Sequence, residues 1–187
     1  FKDPKEISTI RLSYNDTDLL LGCDLLVSND EDVLLTLKKK KSKAVINSNE
    51  VFTGEFTRNP DFSIPSNKIK QNLIELLGND NIDFIPTISI AKRILGDSIA
   101  SNMFITGYAY QAGFIPVSSL ALEKAIKLNN VSVDLNLKAF NLGRQSYLKK
   151  NLLPDIAFKK RNGEHSEKIS ESIEEKISRR YNYLIKY

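Results

Sequence analysis

The chain has 187 residues, 41% of them hydrophobic and 27% charged, with a formal net charge of +4. This length suffices for one domain with a sizeable core, and the composition excludes a disordered or collagen-like chain. No stretch approaches the ~18 consecutive apolar residues of a membrane span, and the first residues do not resemble a signal peptide. The single cysteine excludes an internal disulfide framework and a multi-cysteine metal or iron–sulfur site within this chain. We therefore expect a cytoplasmic protein.

The cations are interleaved with anions except in one cluster, Lys38 to Lys41 together with Lys43. A nucleic-acid interface usually combines such cations with aromatic side chains, and none lies near them in the sequence. Cations near the end of a helix are also favoured by its macrodipole. We expect neither a nucleic-acid partner nor a membrane partner.

The first half of the chain alternates between strands and helices. A short strand is predicted at residues 9–12, followed by a buried strand over residues 23–27, where an apolar run lies between Gly22 and Ser28. Ser28 or Asn29 then caps a helix that extends through Lys38, and residues 44–46 form a second buried strand. Strand, helix and strand with short connections indicate a right-handed parallel crossover.

The next segments continue this alternation after an irregular stretch. Residues 50–65 have no helical or strand period, and Pro60 and Pro65 interrupt them. A helix capped by Ser66 should then bury one face and end at Gly78; that face comprises Ile69, Leu73, Leu76 and Leu77. Residues 82–85 are a predicted third strand, and a short helix should begin at Thr87 or Ser89 and end near Gly96.

The second half is predicted to be helical. One helix begins at Asp97 or Ser98, a second is capped by Ser118 or Ser119, and a third covers about residues 132–148. The middle helix should face the core with Leu120, Leu122, Ala125, Ile126 and Leu128. Residues 151–163 read as a linker, and residues 164–187 as an amphipathic helix. The fold class is therefore α/β, a three-layer α/β/α arrangement with a mainly parallel sheet and a helical C-terminal half.

Few residues carry an obvious catalytic pattern. The only histidine, His165, lies in a polar linker, and a single histidine supports neither a metal triad nor a serine hydrolase relay. Cys23 lies in a predicted apolar strand, where a thiol is usually an inert hydrophobic side chain. The chain has neither a Walker A motif nor a GxGxxG motif. We predict no catalytic and no metal-binding residue.

A polar segment follows the second buried strand and is the best candidate site. In parallel sheets, ligand crevices lie beyond the carboxyl ends of the strands, and Arg58 has the geometry to bind a carboxylate or phosphate bidentately. The alternative is an ordered loop whose polar side chains satisfy its own backbone. The residues proposed for a ligand or interface loop are Asn47, Glu50, Thr57, Arg58 and Asn59. Asp97 and Asn102 are expected to support it, Asn102 as an amide on the buried face of an apolar helix.

Several segments, in the same order over most of residues 5–145, resemble the indolepyruvate ferredoxin oxidoreductases. The matching segments are 18–27, 47–62, 95–102, 122–129 and 139–144. Residues 179–187 are similar to the helix that follows this domain in long fused members. The resemblance implies the gamma, or pyruvate/ketoisovalerate oxidoreductase, domain over residues 1–150, followed by a linker and helix over residues 151–187.

The resemblance implies a cytoplasmic enzyme that decarboxylates a 2-oxoacid oxidatively to an acyl-coenzyme A and passes the electrons to ferredoxin. The parent enzyme would contain thiamine diphosphate, Mg²⁺ and 4Fe-4S clusters, with coenzyme A as co-substrate, and this chain would hold no cofactor. Its partners would be the thiamine-binding domains and, through the parent enzyme, ferredoxin. The resemblance implies an aryl 2-oxoacid of the indolepyruvate type but does not indicate which one is used.

The chain departs from the family pattern at its start, where the family has a glycine-rich strand–loop–helix. The only methionine is Met103, so residue 1 is not a translation start and we expect this chain to be a piece of a longer protein. The sheet should then be incomplete on its N-terminal side. The isolated fragment should be inactive, and its exposed sheet edge and apolar helix faces should make it self-associate. Gly96-Asp97-Ser98 with Asn129-Asn130 is similar to the thiamine diphosphate motif, but Ser98 replaces a glycine and we interpret it as a coincidence. The competing hypothesis is a stand-alone α/β module that binds a small anionic ligand at the 47–62 loop.

Overall fold

The computed structural model describes residues 11–50 and 64–149 and shows an α/β protein. In chain order the elements are β1 (Leu19–Gly22), α1 (Leu25–Ser28), α2 (Glu31–Thr36), β2 (Lys43–Asn47), α3 (Ser66–Leu77), β3 (Ile82–Ile85), α4 (Thr87–Leu95), α5 (Ser101–Gln111), α6 (Ser119–Asn129) and α7 (Val133–Leu148). A 3-10 turn, Asn79–Asn81, precedes β3. Within the described ranges the sheet has three parallel strands in the order β1-β2-β3.

The central strand β2 separates two apolar layers. Side chains alternate along a strand, so Val45 faces one layer while Ala44 and Ile46 face the other. The Val45 layer is completed by β3 and by helices α4, α5 and α7, which contribute Ile85, Ile90, Phe104, Tyr108 and Ala139. The opposite layer is completed by α1 and α3, with Leu25, Ile69, Leu73 and Leu77. The predicted three-layer α/β/α arrangement with a partial parallel sheet is confirmed.

The first buried strand was predicted four residues too late. The strand is Leu19–Gly22, and the predicted strand residues Leu25 to Val27 form the short helix α1 instead. The reason is Asp24, whose carboxylate accepts hydrogen bonds from the backbone N–H groups of Leu26 (2.8 Å) and Val27 (3.1 Å). An N-cap of this kind satisfies the free donors of the first helical turn and favours helix over strand.

The strand predicted at residues 9–12 is wrong for the two residues that the structure describes. Arg11 and Leu12 lie outside any strand, while residues 9 and 10 are outside the described residues. The helix that follows α1 is shorter than predicted. It begins at Glu31, with Asp30 as its cap, and ends at Thr36. Leu37 then leaves the helix in an extended conformation and is almost fully buried.

Most of the remaining elements agree with their predicted positions. β2, β3, α3, α4, α6 and α7 all form, and Ser118 caps α6 through the N–H of Ala121. Ser66 is the first residue of α3 rather than its cap, because Pro65 occupies the cap position. Helix α5 begins at Ser101, later than the predicted Asp97 or Ser98.

Helices α5 and α7 cross with their backbones in close contact, and two glycines make this possible. A Cβ atom on Gly107 would overlap the carbonyl group of Phe140, and one on Gly143 would overlap that of Phe104. Phe104 and Phe140 themselves are fully buried. The crossing therefore depends on the absence of side chains at both glycines, and it fixes the layer that covers the Val45 face of the sheet.

Helix α6 is much less buried than predicted. Leu120 and Leu128 are 76% and 75% exposed, Ala125 is exposed, and Ile126 is the only buried residue of this helix. The apolar periodicity located the helix correctly, but it could not indicate which of its apolar positions another element covers. The expectation that these leucines face the core is wrong.

The linker and the amphipathic helix predicted over residues 151–187 lie outside the described residues, as do residues 51–63. The described residues all belong to one compact unit. No described helix has both the length and the apolar character needed to cross a membrane.

Candidate loop site at the carboxyl edge of the sheet

The carboxyl ends of the three strands meet at one edge, and Asn47 connects them. Asn47 is the last residue of β2 and is only 1% exposed. Its amide donates a hydrogen bond to the carbonyl of Cys23 after β1 (3.2 Å), and its amide oxygen accepts from the N–H of Thr87 after β3 (3.2 Å). The same oxygen accepts from the N–H of Asn49 (3.2 Å). Asn47 thus holds the connections after all three strands in place.

Asn49 continues this role two residues further along the chain. Its side-chain oxygen accepts from the N–H groups of Ile88 (3.0 Å) and Ser89 (3.2 Å), and its amide donates to the Ser89 hydroxyl (2.6 Å). These N–H groups belong to the first turn of α4 and have no partner within the helix. Asn49, from the loop after β2, therefore serves as an N-cap that the sequence order did not reveal, because α4 begins about 40 residues later.

Glu50 forms a hydrogen bond with the first residue of α3. The hydroxyl of Ser66, the first residue of α3, donates a hydrogen bond to the carboxylate of Glu50. Ser66 is buried, and its neighbour Ile64 packs into the layer around α3. The two ends of residues 51–63 are therefore joined at the carboxyl edge of the sheet, where the sequence analysis placed a site.

Two of the five predicted loop residues belong to the described part of the chain. Asn47 and Glu50 lie at the sheet edge, whereas Thr57, Arg58 and Asn59 lie outside the described residues. Asp97 is exposed, and its carboxylate accepts from the N–H of Ile99 (2.9 Å), so it caps the turn before α5. Asn102 is also exposed, which contradicts its predicted place on a buried helix face. In the described ranges, no hydrogen bond joins Asp97 or Asn102 to the edge residues.

Cys23 lies at this edge rather than inside a strand as predicted. It follows β1 directly, and its side chain is exposed. Partial burial of the sulfur, and to a lesser extent the neighbouring Asp24 carboxylate, raise the pKa of the Cys23 thiol. A raised pKa leaves less thiolate at neutral pH, and the thiolate is the nucleophilic form. Cys23 is therefore accessible but poorly activated.

A polar pair that the sequence analysis missed lies on the Val45 face of the sheet. Tyr108 of α5 is buried, and its hydroxyl donates to the carboxylate of Asp83 in β3 (3.2 Å). Burial is the largest reason why the pKa of Tyr108 is raised, and the Asp83 carboxylate adds to it. The ring of Tyr147 packs edge-on against Tyr108, with 5.2 Å between ring centroids. The weak alternation of β3 contained a signal for this pair, because Asp83 interrupts an apolar strand.

The described residues include no cluster of candidate metal ligands. No group of three histidine, cysteine, aspartate or glutamate side chains in this part of the chain is arranged to hold a metal ion. Asp97, the acidic residue of the motif-like segment, already accepts a backbone hydrogen bond. That the chain has no metal-binding residue stays a prediction.

The chain is an α/β protein whose parallel sheet has a polar carboxyl edge. A comparison with family models identifies its family. Residues 2–146 match the model of the pyruvate ferredoxin/flavodoxin oxidoreductase family. Because this match covers most of the 187 residues, the chain belongs to that family. A search of curated proteins found no significant match. The predicted membership of the 2-oxoacid:ferredoxin oxidoreductases is confirmed at this level.

Proposed function

We propose that this chain acts as the gamma-type domain of an indolepyruvate ferredoxin oxidoreductase, which oxidises an aryl 2-oxoacid to its acyl-coenzyme A. The family match over residues 2–146 is the observation that carries the proposal. The narrower choice of an aryl 2-oxoacid rests on the resemblance of the segments at 18–27, 47–62 and 95–102. In this proposal the chain contributes structure and an interface, while other domains supply the chemistry.

The proposed role of the sheet edge is to present the 47–62 segment to a thiamine-binding domain. Asn47 and Asn49 use their amides on backbone groups of the same fold, so they position the segment rather than bind a ligand. Glu50 joins both ends of the segment through Ser66. Thr57, Arg58 and Asn59 are then the residues proposed to reach the neighbouring domain or its ligand, with Arg58 contacting a carboxylate or phosphate.

The cofactors are proposed to reside outside this chain, in other parts of the parent enzyme. Thiamine diphosphate with Mg²⁺ would supply the decarboxylation chemistry and 4Fe-4S clusters the path for electrons to ferredoxin, with coenzyme A as acyl acceptor. Because the chain has a single cysteine, the ligands of such clusters must come from other domains or subunits. We place the enzyme in the cytoplasm and propose that this chain associates with itself when its partner domains are absent.

The substrate is tested by steady-state kinetics of the complete enzyme that contains this chain. Indolepyruvate and pyruvate are compared at saturating coenzyme A, with ferredoxin as electron acceptor. We expect kcat/KM for indolepyruvate to exceed that for pyruvate by at least about tenfold, which corresponds to ~1.4 kcal/mol of transition-state discrimination. A preference for pyruvate would refute the aryl assignment alone. No coenzyme A-dependent oxidation of any 2-oxoacid would refute the proposed function.

The interface role is tested by Arg58→Ala in the same complete enzyme, with Arg11→Ala as a surface arginine control. We expect Arg58→Ala to lower turnover without changing the unfolding temperature, because a guanidinium whose partner lies in a neighbouring domain adds little to the stability of its own domain. Unchanged kinetics would show that Arg58 does not have the proposed role at the interface. The competing hypothesis of a stand-alone anion-binding module has less support, since the amides of Asn47 and Asn49 are already occupied.

A further inference from the structure

A second candidate site lies far along the chain from the sheet edge, in a cavity between α5, α6 and α7. Its volume is about 460 Å³, within the ~300–1,000 Å³ range of small-molecule pockets. The buried side chains of Ile126 and Phe140 contribute to its apolar lining, together with Met103 and Leu122. We call this cavity the amide pocket, after the three asparagines that also line it, Asn102, Asn129 and Asn136.

The amide pocket has no ionisable side chain among its lining residues, which distinguishes it from a cavity of similar volume beside α4 and α7. That other cavity, of about 440 Å³, is lined by Asp134 and Lys138. A charged ligand in the amide pocket would lose hydration without gaining an opposite charge, and this costs free energy. The lining therefore favours an uncharged ligand.

Two of the three asparagines are available for a ligand. Within the described part of the chain, the side-chain amides of Asn102 and Asn129 form no hydrogen bond; only the backbone carbonyl of Asn102 accepts one, from the hydroxyl of Thr106. A primary amide offers donor and acceptor groups in one plane, so it pairs best with another neutral group that offers both. The apolar lining adds the thioether of Met103, which makes favourable contacts with aromatic rings.

The third asparagine makes one rim of the amide pocket rigid. The amide of Asn136 donates to the carbonyl of Val131 (2.9 Å), and the N–H of Asn136 donates to the carbonyl of Ser132 (2.9 Å). Ser132 is held in the left-handed region, with φ 44° and ψ 46°, and both Val131 and Ser132 line the pocket. A rim that is fixed before binding reduces the entropy that a ligand must offset.

We propose that the amide pocket binds an uncharged aromatic ring bearing a carboxamide or an equivalent neutral donor–acceptor edge. The ring would contact Met103, Leu122 and Ile126, and the polar edge would pair with Asn102 or Asn129. This site is independent of the proposed oxidoreductase function, since it rests only on the residues that line the pocket. A protein segment of the same polarity is the competing occupant and is distinguished below.

The probes are benzamide, benzoate and benzylamine, which share a ring but differ in charge, titrated into the full chain and followed by ligand-observed NMR. We expect saturable binding of benzamide with a dissociation constant on the order of 1 mM, as its small size allows. Benzoate and benzylamine should bind at least about tenfold more weakly, because the pocket offers no opposite charge. Equal binding of all three probes, or no saturable binding of benzamide, would overturn the proposal.

Two variants locate the binding. Ala125→Trp adds bulk at an exposed residue that lines the pocket, and Ala121→Trp adds it at an exposed residue of the same helix outside the lining. We expect Ala125→Trp to abolish benzamide binding and Ala121→Trp to leave it unchanged, with helical content of both checked by circular dichroism. The double variant Asn102→Leu/Asn129→Leu should weaken benzamide binding at least threefold, because it removes both free amides of the lining. Benzamide binding that survives Ala125→Trp overturns the proposal. The proposal is also overturned if the chain binds no benzamide but self-associates, and Ala125→Trp abolishes that self-association, because a protein segment is then the occupant of the pocket.

Discussion

The side-chain oxygen of Asn47 lies 3.2 Å from the backbone nitrogen of Thr87 and accepts its hydrogen bond. Both residues are almost fully buried, and they come from the ends of two different segments, β2 and the start of α4. The amide of Asn47 also reaches the carbonyl of Cys23 after β1. A single side chain therefore satisfies backbone groups from both neighbouring strand ends, at the edge where the proposed interface segment begins.

Replacement of Asn47 by alanine should destabilise the fold. The N–H of Thr87 is buried, and it would lose its partner together with the Cys23 carbonyl. Because a buried group without a partner costs ~1–3 kcal/mol, we expect Asn47→Ala to lower the free energy of unfolding by about 2–3 kcal/mol. Urea denaturation measures this change. The control is Asn102→Ala at an exposed amide, expected to change stability by less than ~0.5 kcal/mol. Equal effects would show that Asn47 does not hold the strand ends.

Added methyl groups at the crossing of α5 and α7 should separate the two helices. We expect Gly107→Ala and Gly143→Ala each to cost about 3 kcal/mol or more, because the new Cβ would overlap a backbone carbonyl that cannot move independently. Gly96→Ala is the control, since nothing lies near its Cβ position and its cost, ~1–2 kcal/mol, comes from the left-handed backbone alone. Thermal unfolding followed by circular dichroism would rank the three variants, and a ranking with Gly96→Ala as the most destabilised would contradict the close crossing.

Stability should decrease in alkaline solution because of Tyr108. Its pKa is raised in the folded protein, so the native state keeps a proton that the unfolded chain releases near pH 10. The native state then binds more protons than the unfolded state, and the free energy of unfolding falls as pH rises above about 10. Tyr108→Phe should flatten this decline between pH 9 and 11 in urea titrations, whereas Tyr14→Phe at an exposed site should not. An unchanged slope in Tyr108→Phe would exclude Tyr108 as the cause.

The Cys23 thiol should react slowly at neutral pH although it is exposed. Its raised pKa predicts that the rate of alkylation by iodoacetamide rises with a midpoint above the ordinary thiol value of ~8.5. Asp24→Asn should shift this midpoint towards lower pH, since it removes the nearby negative charge while an asparagine still caps α1. Because the chain has one cysteine, Cys23→Ser provides the unlabelled control. A midpoint below 8.5 would contradict the assignment.

Much of the fold was predictable from local patterns. β2 and β3 form at their predicted positions because their apolar runs end at polar turns, and α3 and α7 form where apolar residues recur with helical spacing. β1 was misplaced because residues 19–27 are nearly continuous in apolar character. Such a run does not distinguish strand from helix, and the Asp24 cap decided the boundary. The carboxyl edge of the sheet was predicted as the candidate site because ligand crevices in parallel sheets lie beyond the carboxyl ends of the strands. Asn47 and Glu50 are located at this edge.

The sequence by itself determined the α/β class, the order of most elements and the membership of the 2-oxoacid:ferredoxin oxidoreductases, which the family match bears out. Only the tertiary structure decided what each polar and apolar side chain contacts. Leu120, Leu128 and Asn102 are exposed, and Asn47 and Asn49 satisfy backbone groups about 40 residues away in the chain. The physical reason is that periodicity and caps act within a few residues, whereas burial and long-range hydrogen bonds depend on which segments the fold brings together.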